Sequence, residues 1–160
     1  MPMQMKDFDD NDIRATINQI LSVVDVNACF DIPYLAGYSE DGHTIYIDRH
    51  VPLVADIKDK RVKIFPKLVM HEVVEKVLND FFHLKYFMGH QLALRCEAAL
   101  VEADGIKWND YEEFLQPYIK RADKEQLLLV PSDLDLKPYE DYGDIEKLKA
   151  LLNAGVDKQG

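Results

Sequence analysis

Residues 64–84 read IFPKLVMHEVVEKVLNDFFHL, and this stretch decides how the rest of the chain is arranged. Apolar residues recur in it at i, i+3, i+4 and i+7, the spacing of one helical face, and Pro66 suits a first helical turn. The pattern predicts a helix over about residues 66–83. Inside this helix, in its most apolar part, stand His71, Glu72 and Glu75. A histidine and two carboxylates are costly to bury without partners, so the mismatch is the signal of a site.

On a helix, positions i and i+4 share a face, so His71 and Glu75 can aim a ring nitrogen and a carboxylate oxygen at one point where a divalent metal fits. Glu72 is rotated by about 100°, where the glutamate of an HExxH helix serves as general base toward the water that the metal activates. The pattern here is HExxE, which keeps the geometry and replaces a neutral ligand by an anionic one.

A third ligand must come from elsewhere. HQLALRCEAALVEADG predicts a second helix over about residues 90–104, stopped by Gly105. If the two helices form an antiparallel hairpin turning near residues 86 and 87, Glu97 falls across from Glu75 and His90 lies nearer the turn, opposite His83. His90 and Glu97 share a face with Leu94 and Val101, so either can complete the site. His71, Glu75 and His90 make the His₂Glu set of catalytic zinc centres, whereas His71, Glu75 and Glu97 make a more anionic set that tolerates other divalent metals. Zinc or another divalent transition metal is the expected cofactor.

Outward from this pair, the chain predicts a helix over about residues 10–26 and then two extended segments joined by a hairpin at Ser39–Gly42, with Thr44–Asp48 the clearest strand. Pro52–Arg61 is mixed and charged. Asn109 is placed to cap a further helix running through Tyr111, Phe114, Leu115 and Tyr118, which Pro117 ends or kinks. Residues 131–142 read as irregular, followed by a short helix ending at Gly155. With 160 residues, 48% of them hydrophobic, the chain forms one domain, 1–160, in which residues 130–160 are a peripheral extension. The expected fold class is α+β, a small antiparallel hairpin or sheet packed on four to five helices.

The competing structural reading is that His71 and Glu75 only hydrogen-bond to each other while Glu97 pairs at the surface with Arg95 or Lys76. His83 suits a helix end, and His43 and His50 face solvent. Cys96 and the stripe of Trp108, Tyr111, Phe114 and Tyr118 serve packing.

The net charge of −10, with no dense basic block, excludes nucleic acid and anionic membrane as partners. No export signal or membrane-length apolar run is present, and Cys29 and Cys96 have no CxxC partner, which places reduced thiols in the cytoplasm.

HEVVE on a core helix, preceded by the strand TIYID at Thr44–Asp48 and followed by a helix bearing Glu97, resembles the zincin metallopeptidases, especially the gluzincin branch, over roughly residues 37–104. It is more loosely similar to small bacterial and prophage proteins carrying HExxE. The resemblance implies a zincin-like fold, a catalytic zinc, Glu72 as base, Glu97 as the glutamate supplied by the next helix, and an edge strand that aligns a peptide or protein substrate. Glu75 stands where that family has its second histidine, and no downstream Tyr or His is identifiable as an oxyanion stabiliser. The expected function is a zinc metallopeptidase. The alternative is a zincin-like metal-binding or interaction protein without catalysis.

Overall fold

A computed structural model describes residues 10–125 and 127–154. The first helix, α1 (Asp10–Leu21), leads into strand β1 (Asp25–Phe30), then a tight turn and strands β2 (Ala36–Tyr38) and β3 (Thr44–Asp48). β3 is central, parallel to β1 and antiparallel to β2, so β2 forms one edge of the sheet. A separate antiparallel hairpin follows, β4 (Val54–Ile57) with β5 (Lys60–Lys63). The sequence expectation missed β1 and this hairpin. Helix α1 stops at Leu21 instead of continuing to residue 26, and the next residues join the sheet. The β4–β5 turn is made by Lys58 and Asp59, both at positive φ (48° and 65°), where a turn signal normally carries Asn or Gly.

The decisive helix, α2 (Phe65–Lys76), begins with Pro66 in its first turn and continues into a single π-helical turn at Val77–Phe81. It is enclosed on several sides, and every residue from His71 to Leu78 is buried. Val73 and Val77 pack against Tyr38 and Ile45 of the sheet. Val74 and Leu78 pack against Ala93 of the next helix. Leu68 joins the core beneath β3 and the β4–β5 hairpin, among Ile47, Ile57 and Val62. Apolar burial on this scale fixes the helix against the sheet, so its polar residues have a defined place to point.

The turn joining β2 to β3 is pinned to α2 by Lys76. Gly42 has φ 74°, which favours glycine, and a Cβ there would lie 2.2 Å from Lys76 Cε, so a side chain would push the lysine aside. The ammonium then sits 4.4 Å from the Tyr38 ring centroid and 2.6 Å from the Asp80 carboxylate.

Helix α3 (Tyr86–Ala103) runs back along α2, and α4 (Trp108–Lys124) packs on the pair. α3 starts four residues earlier than the sequence suggests. α4 includes Pro117 without ending there, and its cap is Lys107 instead of Asn109. Two short helices close the described chain, α5 (Lys137–Tyr142) and α6 (Ile145–Asn153); α5 lies in the stretch read as irregular.

The expectation of a peripheral C-terminal extension does not describe residues 130–154. Val130, Leu134, Tyr139 and Leu151 form a second core cluster with Ile32 and Tyr46. Asp31 anchors the approach to it. Its carboxylate accepts hydrogen bonds from the Leu128 and Leu129 amides at 2.9 and 3.0 Å and from Arg49 Nε at 2.6 Å. Residues 155–160 of the expected terminal stretch lie outside the described residues. The class is α+β, with six helices among the described residues, and none of them is long and apolar enough to cross a membrane.

Candidate metal centre and its cleft

His71, Glu72 and Glu75 point from α2 into a cleft of about 250 Å³ walled by β2, α3, α4 and α5. The α2–α3 pairing is shifted from the expected one, because the connection is centred on residues 83–84 and α3 begins at Tyr86. His83 makes the reversal with φ 55°. As a result His90 faces Glu75, and Glu97 faces His71.

His71 Nε2 lies 3.2 Å from Glu75 Oε2, and His90 Nδ1 lies 2.9 Å from the same oxygen. One donor atom each from His71, Glu75 and His90 falls within 4.8 Å of the others. Ligands about 2.0–2.1 Å from a tetrahedral zinc stand about 3.3–3.4 Å apart, so this trio fits a divalent cation after opening by a few tenths of an ångström.

Glu97 is placed differently. Its Oε1 lies 2.8 Å from His71 Nδ1, on the far side of the ring from Glu75, and its Oε2 accepts a 2.7 Å hydrogen bond from the Tyr111 hydroxyl. Glu97 is therefore buried and internally bonded, with no surface pairing to Arg95 or Lys76. The His71–Glu75 hydrogen bond of the competing reading is present, within a larger network. Cys96 and the α4 aromatics pack as expected, and Trp108 also lines the cleft. His43 is exposed, whereas His50 is half-buried and bonds Asp48 at 3.1 Å.

The electrostatics follow from burying three carboxylates and two imidazoles together. Burial alone would lower His71, but the hydrogen bonds its ring donates to Glu75 and Glu97 outweigh it and push the imidazolium up to about 10. Burial would raise Glu75, yet His71 and His90 hold it below its usual value. Glu72 goes the other way. Burial and the charge of Glu75 push its carboxyl up to about 8. It is 8% exposed, lines the cleft, and makes no hydrogen bond or ion pair with any described residue. The cluster thus gathers three carboxylates around His71 and His90 and leaves the Glu72 carboxyl facing the open cleft, an arrangement that a cation and a polar ligand would complete.

A second group with metal-like spacing, Asp31, Asp48 and His50, offers a contrast. There the donors are already used. Asp31 holds Arg49 and two amides, and Asp48 accepts from the Ile32 and His50 amides at 3.0 and 3.2 Å. This group is a structural latch.

Three tyrosines that the sequence did not single out as functional complete the cleft or its support. Tyr86 stacks on His90, with ring centroids 5.8 Å apart and planes 17° off parallel. Tyr111 supports Glu97. Tyr139, 6% exposed, lines the cleft and donates to no described residue. Burial and the Glu72 charge raise its hydroxyl far above the usual range, so it remains a hydrogen-bond donor. No local signal marks Tyr139, because α5 reaches the site only through tertiary packing. Compared with known proteins, the chain matches no family model, no curated protein and no solved structure.

Proposed function

We propose that the chain is a metal-dependent hydrolase of zincin-like architecture, a peptidase that cleaves amide bonds. In this reading His71 Nε2, Glu75 and His90 Nδ1 hold zinc or another divalent transition metal. Glu97 is the positioning residue, fixing the His71 ring through Nδ1 as carboxylate partners of ligating histidines do.

The observation that carries the reading is Glu72. Its side chain rises from the buried face of α2 with its carboxyl opening into the cleft, makes no hydrogen bond to a described residue, and stands one position from a convergent His₂Glu trio. A structural clamp would pair such a group, whereas a general base must stand unpaired beside the cation, whose charge would bring the Glu72 carboxyl down from about 8 to where it can take a proton.

When bound, the metal supplies Lewis acidity to a water and to the amide carbonyl. Glu72 takes a proton as the water oxygen attacks the carbonyl carbon. It returns that proton to the amide nitrogen as the C–N bond breaks, leaving a carboxylic acid and an amine, and the acid's remaining proton then passes to the amine to give a carboxylate and an ammonium. The Tyr139 hydroxyl is the donor within the cleft for charge developing on the carbonyl oxygen. β2 borders the cleft, and its outer edge is joined at Tyr38 and Ser39 by residues 134 and 135, so the substrate is held by the side chains of the cleft walls.

Glu72→Gln tests the assignment, since it keeps the side-chain shape and removes the base. We expect full metal content with turnover of a peptide library reduced at least about a thousandfold, and Tyr139→Phe to lower kcat by about ten- to a hundredfold with little change in KM. Loss of metal in Glu72→Gln, or unchanged turnover, contradicts the assignment.

A further inference from the structure

Four tyrosines of the cleft wall, Tyr34, Tyr86, Tyr139 and Tyr142, touch one another, and they bring the corner between α5 and α6 against the site. That corner is thinly held. Residues 141–143, Ile145 and Glu146 are exposed, Tyr142 by 58% and Ile145 by 62%. Tyr139 before the corner and Leu148 and Leu151 after it are packed in the second core cluster. An exposed segment between two anchored ends is the part of a fold that opens without unfolding the rest.

What holds the corner down is concentrated on one side chain. The Tyr34 hydroxyl donates to Asp144, the residue that caps α6, and Lys147 places its ammonium 5.2 Å from the Tyr34 ring centroid. Tyr142 meets the same ring edge-on at 6.3 Å between centroids. Tyr34 is presented by strained backbone. It and Leu35 have φ 56° and 77°, left-handed values that bulky residues rarely adopt. Pro33 and Leu35 are buried, so the turn Pro33–Leu35 is a fixed post with Tyr34, 42% exposed, at its tip. Such backbone persists only where its surroundings over-determine it, and it gathers at switch segments.

The corner also reaches the candidate metal ligands. Tyr142 meets Tyr86 edge-on at 6.0 Å, and Tyr86 stacks on His90 at 5.8 Å. The Tyr86 hydroxyl lies beside Glu75; burial and the charges of Glu75 and Glu72 raise it well above its usual range. We propose that residues 141–147 form a lid latched by Tyr34, and that Tyr86 is the positioning residue through which the closed lid holds His90 toward Glu75. Lifting the lid takes Tyr142 off Tyr86 and frees that ring to leave His90. The lid stands on the ring contacts and the strained turn, and only its effect on bound metal rests on the hydrolase reading above.

Two substitutions release the latch while sparing the lid's own structure. Tyr34→Phe keeps the ring and removes the hydroxyl. Asp144→Ser keeps a helix cap, because its one oxygen can serve the Lys147 amide, 3.1 Å from Asp144 Oδ1 in the native chain, and leaves none for Tyr34. The first measurement uses chelator-treated full-length protein with ring-labelled tyrosine and follows each ring by relaxation dispersion, on the microsecond-to-millisecond scale of lid motion. The open population seen at Tyr86 and Tyr142 should rise at least about fivefold in both variants, the effect of one net hydrogen bond. Tyr111, bonded to Glu97, should keep its native behaviour. Rings no more mobile in the variants than in the native chain overturn the lid. Equal loosening at Tyr111 overturns it too, as general unfolding.

The second measurement loads the full chain with zinc alone and follows release of the metal to a fluorescent chelator. Release should be at least about threefold faster in Tyr34→Phe than in the native chain, and that acceleration should vanish when Tyr86→Leu is already present, since the lid then has no ring through which to act. No acceleration in Tyr34→Phe, or acceleration that persists beside Tyr86→Leu, overturns the coupling to His90. Failure to take up zinc, with the tyrosine rings still responding to both latch variants, defeats the hydrolase reading and leaves the lid standing.

Discussion

Glu97 and His71 define the residue scale, because one hydrogen bond between them decides which nitrogen is available. With Glu97 on Nδ1 and Tyr111 bracing Glu97, Nε2 is the nitrogen turned toward Glu75 and His90. Glu97→Gln should therefore weaken zinc affinity by about 10- to 100-fold without removing the site, as read by competition with a fluorescent chelator. Complete loss of zinc would instead make Glu97 a ligand. The same groups predict a pH dependence. His71, raised from 6.5 to about 10, contributes stability that is full below its unfolded value and is lost as pH rises through its folded one. Glu72, raised from 4.5 to about 8, opposes folding once the unfolded chain ionises first, so it too lowers stability as pH climbs. In chelator, Tm should fall across this range, while the gain in Tm on adding zinc should grow with pH, because ligation displaces the Nε2 proton. A flat Tm profile in chelator would contradict the assigned charge states.

At the scale of elements, what the sequence made legible was what period and chemistry encode locally. Residues 64–84 announced α2, its polar triad and its ligand spacing, because a face of apolar residues and an i, i+4 pair are properties of one helix. The partner helix was legible too, but its register was not. That register depends on the π turn at Val77–Phe81 and on His83 taking φ 55°, neither of which has a residue signature. The alternatives His90 and Glu97 therefore could not be separated by spacing. Strand β1 was hidden because its residues face solvent and core unevenly, and the β4–β5 turn because Lys58 and Asp59 occupy positions that glycine usually marks. Asp31 belongs to this scale as well, since it binds the sheet to the chain entering the C-terminal helices. Burial alone would raise its carboxyl, but the bonds from Arg49 and the Leu128 and Leu129 amides hold it below the usual carboxylate range. Asp31→Ala should cost about 2–3 kcal/mol in urea unfolding and expose the Leu128 and Leu129 amides to hydrogen exchange. Retained protection at those amides would show that the latch is not what fastens the segment.

Across the whole molecule, the C-terminal helices convert an HExxE helix into a cleft. Leu134, Tyr139 and Leu151 bury themselves against Ile32 and Tyr46, and that packing carries Tyr139 to the wall of the cleft. A strand of the sheet, a carboxyl opening into the cleft, a trio of donors and apolar walls thus meet in one place, supplied by different parts of the chain. The claim on which the rest depends is that this place holds a metal. The most direct test is the metal content, by elemental analysis, of untagged protein purified without chelator, native and as His71→Ala, His90→Ala and Glu72→Gln. The account predicts about one equivalent of zinc or another divalent transition metal in the native chain and in Glu72→Gln, and loss of at least tenfold in affinity in the two histidine variants. A native chain that takes up no metal even after incubation with zinc, while remaining folded, would contradict it and leave His71, Glu75, His90 and Glu97 as a hydrogen-bonded clamp between α2 and α3.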